Sequence, residues 1–324
     1  MQPPNAASLF AWSDVLHEYV VFLGAFALLG AAGFWTAVAR PSLRAASDET
    51  PMGRAARGAA RVGLVGAVLT ILTTLVGVAG RAAEKGIPFA EAARSGGLTL
   101  AIAAVLLAFL LVAFALLSSG RGRWLWPAAA AGVVALTLRN IVQLRWQTIV
   151  NPLHLLAGGL WIGTLAVLAL TVIPLAVRRE LGRNGSPSIA QVIARFSRLS
   201  LFAVTLLVAS GLVTAWRHLK YPAALWTTPY GLVFLAKLAM VAVVAALGAF
   251  NWRRVSPTLS ADDGAARLQR SSRAELVAAG IVLAITALLV SIPAPRLPKA
   301  AGAPAAAGAP AGAAPSGAVA PAPR

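Results

Sequence analysis

Three histidines are the residues of this chain best suited to chemistry: His17, His154 and His218. Neutral imidazole is the commonest protein ligand for transition metals. Asp14 stands one helical turn before His17 and Glu18 directly after it, so a carboxylate could orient that ring from behind. His154 opens the string His154-Leu-Leu-Ala-Gly-Gly-Leu-Trp161-Ile-Gly163. Spacings of four and seven bring Gly158 and Trp161 to its helical face, and the glycines Gly158, Gly159 and Gly163 would admit a neighbouring helix closely. His218 lies in Trp216-Arg217-His218-Leu219-Lys220-Tyr221, which also has the make-up of an interfacial anchor. Each histidine could equally sit among headgroups or bond a carbonyl. Lys237 is a cation within an apolar run, so it should face a partner or a wet cavity, or snorkel outward. It would repel a metal cation and should stay off the narrowest metal path, paired with a carboxylate or with carbonyls. Arg139, Asn140 and Gln143 could line the same vestibule or form a polar rim.

Other chemistries are missing from the sequence. There is no cysteine, hence no disulfide and no CxxC metal motif, and only Met1, Met52 and Met240 carry a thioether. A bound metal must therefore rest on imidazole, carboxylate or a rare methionine. No GxxxxGK[ST], GxSxG or HExxH string occurs, so a nucleotide-driven pump and the common hydrolases are not indicated. No catalytic constellation is recognisable, and a non-enzymatic role is expected.

The elements that must position these groups are membrane helices. The 324 residues are 59% hydrophobic and 12% charged, where a soluble domain would be about a quarter charged. Apolar runs at 17–39, 61–80, 97–118, 124–142, 153–177, 199–216, 230–252 and 274–292 are each long enough to cross about 30 Å of hydrocarbon. Lipid offers the backbone no hydrogen bonds, so the expected fold is all-α, a polytopic bundle of about eight helices. Net charge is +18, carried mainly by the loops, which speaks for lipid headgroups and against nucleic acid as the partner. Gaps after the odd-numbered spans hold 17 Lys and Arg, and the other gaps and termini hold 10. Positive-inside logic then puts both termini, and all three histidines, on the outer side. Residues 1–16 lack Lys and Arg, so no cleavable signal peptide is expected.

An offset of 137 superposes His17 on His154 and Arg61 on Arg198, and matches Leu64, Leu69, Leu75 and Val76 with Leu201, Leu206, Leu212 and Val213. This suggests a 4+4 parallel repeat, with halves at 1–150 and 151–292. Residues 293–324, rich in Ala, Pro and Gly, form an expected disordered tail. The gaps near 41–60, 178–197 and 253–273 read as inner loops.

Three stretches carry a resemblance: HLLAGGLWIGTLAVL (154–168), RFSRLSLFAVTLLVASGLVTAWRHL (195–219) and TPYGLVFLAKLAMVAVVAALGAFNWRRVSPTL (228–259). In order and spacing, the second half resembles the CopD family of copper-resistance membrane proteins. The first half fits the family's eight-helix layout more loosely. The resemblance implies copper handling in the bacterial inner membrane, beside a periplasmic copper-binding protein of the CopC type. It makes His154, Trp161, Gly163, Arg198, Gly211, Tyr230, Lys237 and Asn251 family-typical positions. The expectation is a copper importer, from periplasm to cytoplasm, that receives the ion at His17, His154 and His218. Asp14, Glu18, Trp161 and Lys237 would stand behind those ligands or along the path. The alternatives are a haem-binding electron carrier, limited to one haem by having three histidines, and a docking protein for the periplasmic chaperone.

Overall fold

The computed structural model describes residues 10–43, 49–140, 146–182, 187–218, 221–251, 253 and 264–294. The expected tail lies almost wholly outside them. Among the described residues all regular structure is helical. The main helices are α1 (Trp12–Gly33), α2 (Pro51–Lys85), α3 (Gly97–Ser118), α4 (Trp126–Leu138), α5 (Trp146–Gly158), α6 (Ile189–His218), α7 (Pro229–Phe250) and α8 (Gly264–Ser291). A π-helical turn at Phe34–Ala39 prolongs α1, and another at Gly159–Gly163 carries α5 on into Thr164–Thr171. Seven of these helical stretches are long and apolar enough to span a bilayer, and Arg123–Leu138 is a shorter apolar helix that includes α4. The chain is a multi-pass membrane helical bundle.

Helix starts follow local rules. Thr50 accepts a hydrogen bond from the Gly53 amide, and Pro51 supplies the first helical φ of α2. Thr228 and Pro229 do the same for α7, with the Gly231 amide as donor. Gly86, at φ 64°, takes the left-handed position that closes α2. Three expected inner loops are partly helical, because α2, α6 and α8 run beyond the apolar segments to Pro51, Ile189 and Gly264. Hydropathy reports where lipid ends, whereas the helix continues until a cap stops it.

Helix α1 is central. It packs on α2, α4, α5 and α8, and α6 reaches its π turn. Its contact with α5 is backbone on backbone: a Cβ on Gly30 would lie 2.3 Å from the Gly163 carbonyl oxygen, and one on Gly163 would lie 2.2 Å from the Phe26 oxygen. The main core joins α1 through α4 with the continuation of α5, around Leu29, Phe34, Phe114, Trp126 and Leu168. Helix α7 packs mainly on α8, through small clusters at Tyr230–Leu289–Ile292 and Val244–Ala278–Val282. Leu201, Leu212, Leu232 and Val243 on α6 and α7 face outward, as lipid-contacting side chains should.

Polar side chains within the spans are largely satisfied inside their own helices. Thr70, Thr73 and Thr74 donate to carbonyls four residues back, at 2.8, 3.0 and 2.7 Å. At the end opposite the histidines, the Arg195 guanidinium donates to the Val38 carbonyl (3.0 Å) and to Ser42 Oγ (2.7 Å), tying α6 to the end of α1. Arg54 pairs with Glu180 on the same side.

Candidate metal-handling site

The direction of each helix follows from its contacts. A Cβ on Gly158 would touch Phe26 of α1 and Leu207 of α6, at 3.1 and 3.6 Å. With Gly30 against Gly163, α1 and α5 run parallel. His154 meets Ser210 while Gly158 meets Leu207, so α6 runs antiparallel to α5. His17 therefore lies about 8 Å further toward the α1 start than His154, at 1.5 Å per residue. The backbone of His218 lies about 12 Å beyond Ser210 in the same direction. All three histidine positions fall at one end of the bundle, with His154 the deepest. The side chain of His218 lies outside the described residues.

The geometry around His154 is specific. Its Nδ1 stands 3.0 Å from Ser210 Oγ. The Ser210 hydroxyl is 2.7 Å from the Leu206 carbonyl, to which it donates. When the hydroxyl proton is used there, the hydroxyl accepts from His154 and the imidazole proton sits on Nδ1. In that tautomer Nε2 keeps its lone pair, the form in which imidazole binds a metal. Gly211 makes the space: a Cβ there would lie 3.2 Å from His154 Cε1.

The helical face expected to unite His154, the glycines and Trp161 is divided among three neighbours. His154 and Gly158 both meet α6, Gly158, Gly159 and Gly163 lie against α1, and Trp161 packs with the α7–α8 cluster around Val244 and Val282. The π-helical turn at Gly159–Gly163 explains this, since an extra residue per turn rotates everything after it. Lys237 is half-buried and within electrostatic range of His154. Among the described residues no carboxylate or carbonyl pairs with it. His17 and Glu18 are half-buried, Asp14 is exposed, and no hydrogen bond joins either carboxylate to His17. Arg139 lines a separate 260 Å³ cavity with Arg81, Thr70, Thr74 and Thr99, between α2, α3 and α4. Among the described residues no group of three or more His, Cys, Asp or Glu is gathered as a metal site.

Two participants escaped the sequence reading. Ser210 is a small polar residue in a leucine-rich helix, with no periodicity to single it out. Glu275 stands at the very start of the apolar run 274–292, yet it is buried on α8. Asn251 donates to Glu275, and Ser271 donates to Asn251. This cluster joins α7 and α8 at the arginine-rich end. Replacing Glu275 with Ala should cost about 1–2 kcal/mol of bundle stability, because Asn251 loses its acceptor. Glu275→Gln, which keeps a carbonyl oxygen, should lose less; unfolding in mixed micelles reads the difference.

Residues 190–289, from α6 to near the end of α8, match the family model described as copper resistance protein D, CopD, which bears out the resemblance over that stretch. Over 146 residues the chain is 26% identical to a protein of Bacillus subtilis (strain 168) named copper transport protein CutJ. That match takes in 45% of this chain and 25% of the relative, so the chain spans about a quarter of that protein's length. No solved structure matches.

Proposed function

We propose that this protein is a copper-conducting inner-membrane protein that takes the ion from the periplasmic side into the cytoplasm. The observation that carries this reading is His154, an imidazole at bundle depth whose Nδ1 is engaged by Ser210. The CopD match supports copper as the ion. His17 and His218 would receive copper at the rim and pass it down to His154. Met240, one turn deeper than Lys237 on α7 and packed by the Trp161 cluster, offers the next soft donor. Glu275 and Asn251 then supply oxygen atoms at the far end. Few ligands at each level suit conduction, which needs binding weak enough for release. The membrane potential drives a cation inward with about 2.3 kcal/mol per charge per 100 mV, so no nucleotide is required. Both termini would face the periplasm, where a CopC-like protein could deliver copper.

The decisive measurement is copper entry into proteoliposomes under an imposed inside-negative voltage. Voltage-dependent entry above protein-free vesicles is expected. Chaperone binding without any flux would replace this reading with a docking role. Lys237→Gln adds a graded check. At an effective dielectric of about 20, two unit charges about 10 Å apart repel by about 1.7 kcal/mol. Removing the ammonium should therefore lower the copper KM by roughly tenfold, read from uptake against copper concentration.

A further inference from the structure

Hydroxyl side chains in the spans follow one habit. Thr70, Thr137, Thr171, Ser210, Thr214 and Thr286 each donate to the carbonyl four residues back in their own helix. Thr164 and Ser200 depart from it. Thr164 is 0% exposed and Ser200 Oγ is shut off from the surface, yet neither hydroxyl has a hydrogen-bond partner within the protein. For Thr164 the cause is local. The residue four back is Leu160, inside the π-helical turn Gly159–Gly163, and the wider turn carries that carbonyl out of line. The two hydroxyls belong to one level of the bundle. His154 meets Ser210 and Gly158 lies near Leu207, and the same antiparallel register brings Thr164 level with Ser200. The packing agrees: a Cβ on Gly33 would lie 2.4 Å from Thr164 Oγ1 and 3.6 Å from Leu199, so α1, α5 and α6 converge there. Ser200 stands at helical spacing with Phe196, Ala203 and Leu207, all on the inner face of α6. This level is about 15 Å inward of His154.

Burying a hydroxyl without a partner is costly, and two at one level point to a shared one. An ion fits poorly. Arg195 lies five residues further inward on α6 and would repel a cation, and among the described residues no carboxylate bonds either hydroxyl. Leu160, Leu199 and Ala203 around them are apolar and solvate no charge. A small neutral molecule that both donates and accepts suits two hydroxyls that can each do the same. We propose that Thr164 and Ser200 hold one water molecule between them, a buried solvent site that ties α6 to α5. Such a water needs at least two polar partners, which the two hydroxyls supply. The helices that frame His154 are then joined at two levels, at Ser210 and here. The site is independent of the ion the protein carries.

A double-mutant cycle in the full chain, read by unfolding in mixed micelles, tests this. Thr164→Val and Ser200→Ala should each raise the unfolding equilibrium constant roughly tenfold, the worth of about one hydrogen bond. The double variant should raise it by about the same factor and not by the product, because either change alone dismisses the water. X-ray radiolytic labelling in heavy-oxygen water gives a second reading that needs only Ser200→Ala, should Thr164→Val fail to fold. In wild type, Leu160 and Leu199 should take up label several-fold above Leu106, an equally half-buried leucine on α3, and Ser200→Ala should remove the excess. Single variants that leave stability unchanged or raise it overturn the proposal, since a dry pair behaves that way. Effects that multiply in the double variant overturn it in favour of two unconnected hydroxyls. Label at Leu160 and Leu199 no higher than at Leu106 overturns it as well. Stabilisation of wild type by sodium over choline, lost in the variants, overturns the water in favour of a bound cation.

Discussion

Gly30→Val and Gly163→Val should each abolish the folded bundle, with little protein surviving extraction in mild detergent. A Cβ on Gly30 would lie 2.3 Å from the Gly163 oxygen and 2.8 Å from its Cα; one on Gly163 would lie 2.2 Å from the Phe26 oxygen. The obstructing atoms are backbone on both sides, so no rotamer change relieves the overlap. Helices α1 and α5 would have to move apart, and α1 is the helix on which most of the others pack. Overpacking of a core costs about 1–3 kcal/mol where side chains can give way, so a loss of at least about 3 kcal/mol is expected here. Gly80→Ala and Gly248→Ala are the counter-test, because nothing lies within 4 Å of a Cβ at either position. Alanine should be neutral or slightly stabilising there, since glycine disfavours helix by about 1 kcal/mol. Thermal unfolding of the four variants reads the contrast, and survival of Gly163→Val at wild-type stability would remove the close approach as the organising contact.

The sequence disclosed that close approach without its partner. Glycines at 158, 159 and 163 require a near neighbour, but only three-dimensional packing reveals it as α1, some 130 residues away. The spans themselves were legible, because lipid leaves an apolar run no structure but a helix. Their ends were less so: Thr50-Pro51 is a capping signal, yet hydropathy stops marking α2 near Arg61, ten residues later. The shortness of α4 accords with its apolar run being the weakest of the eight, ending near Arg139 and Asn140. The site was legible as residue types more than as an arrangement. His154 stood out as an ionisable group in an apolar helix. Ser210 and Glu275 did not, because α6 and α8 have only weak amphipathic patterns that leave the direction of a single polar side chain undetermined. The π turn that separates Trp161 from His154 has no sequence signature beyond its glycines.

His154→Ala should reduce voltage-driven copper uptake at least tenfold while leaving the bundle folded. The ring is half-buried, and its removal strips no backbone group of a necessary partner, since Ser210 retains the Leu206 carbonyl as acceptor. Ser210→Ala separates orientation from ligation. Without the hydroxyl the ring keeps Nε2 but loses the contact that fixes its tautomer and plane, and loss of such a supporting contact typically weakens metal affinity by 10–100-fold. Uptake by Ser210→Ala should fall mainly through a raised KM, whereas His154→Ala should lower the maximal rate as well. His17→Ala and His218→Ala, at the rim, should act on KM alone and by less. Gly211→Val should mimic Ser210→Ala by a different route, since a Cβ at 3.2 Å from the ring forces it to shift. The order of these five effects is the signature of a funnel that narrows onto one imidazole. Unchanged uptake by His154→Ala in correctly folded protein would take that residue out of the path, and with it the reason for placing copper between α5 and α6.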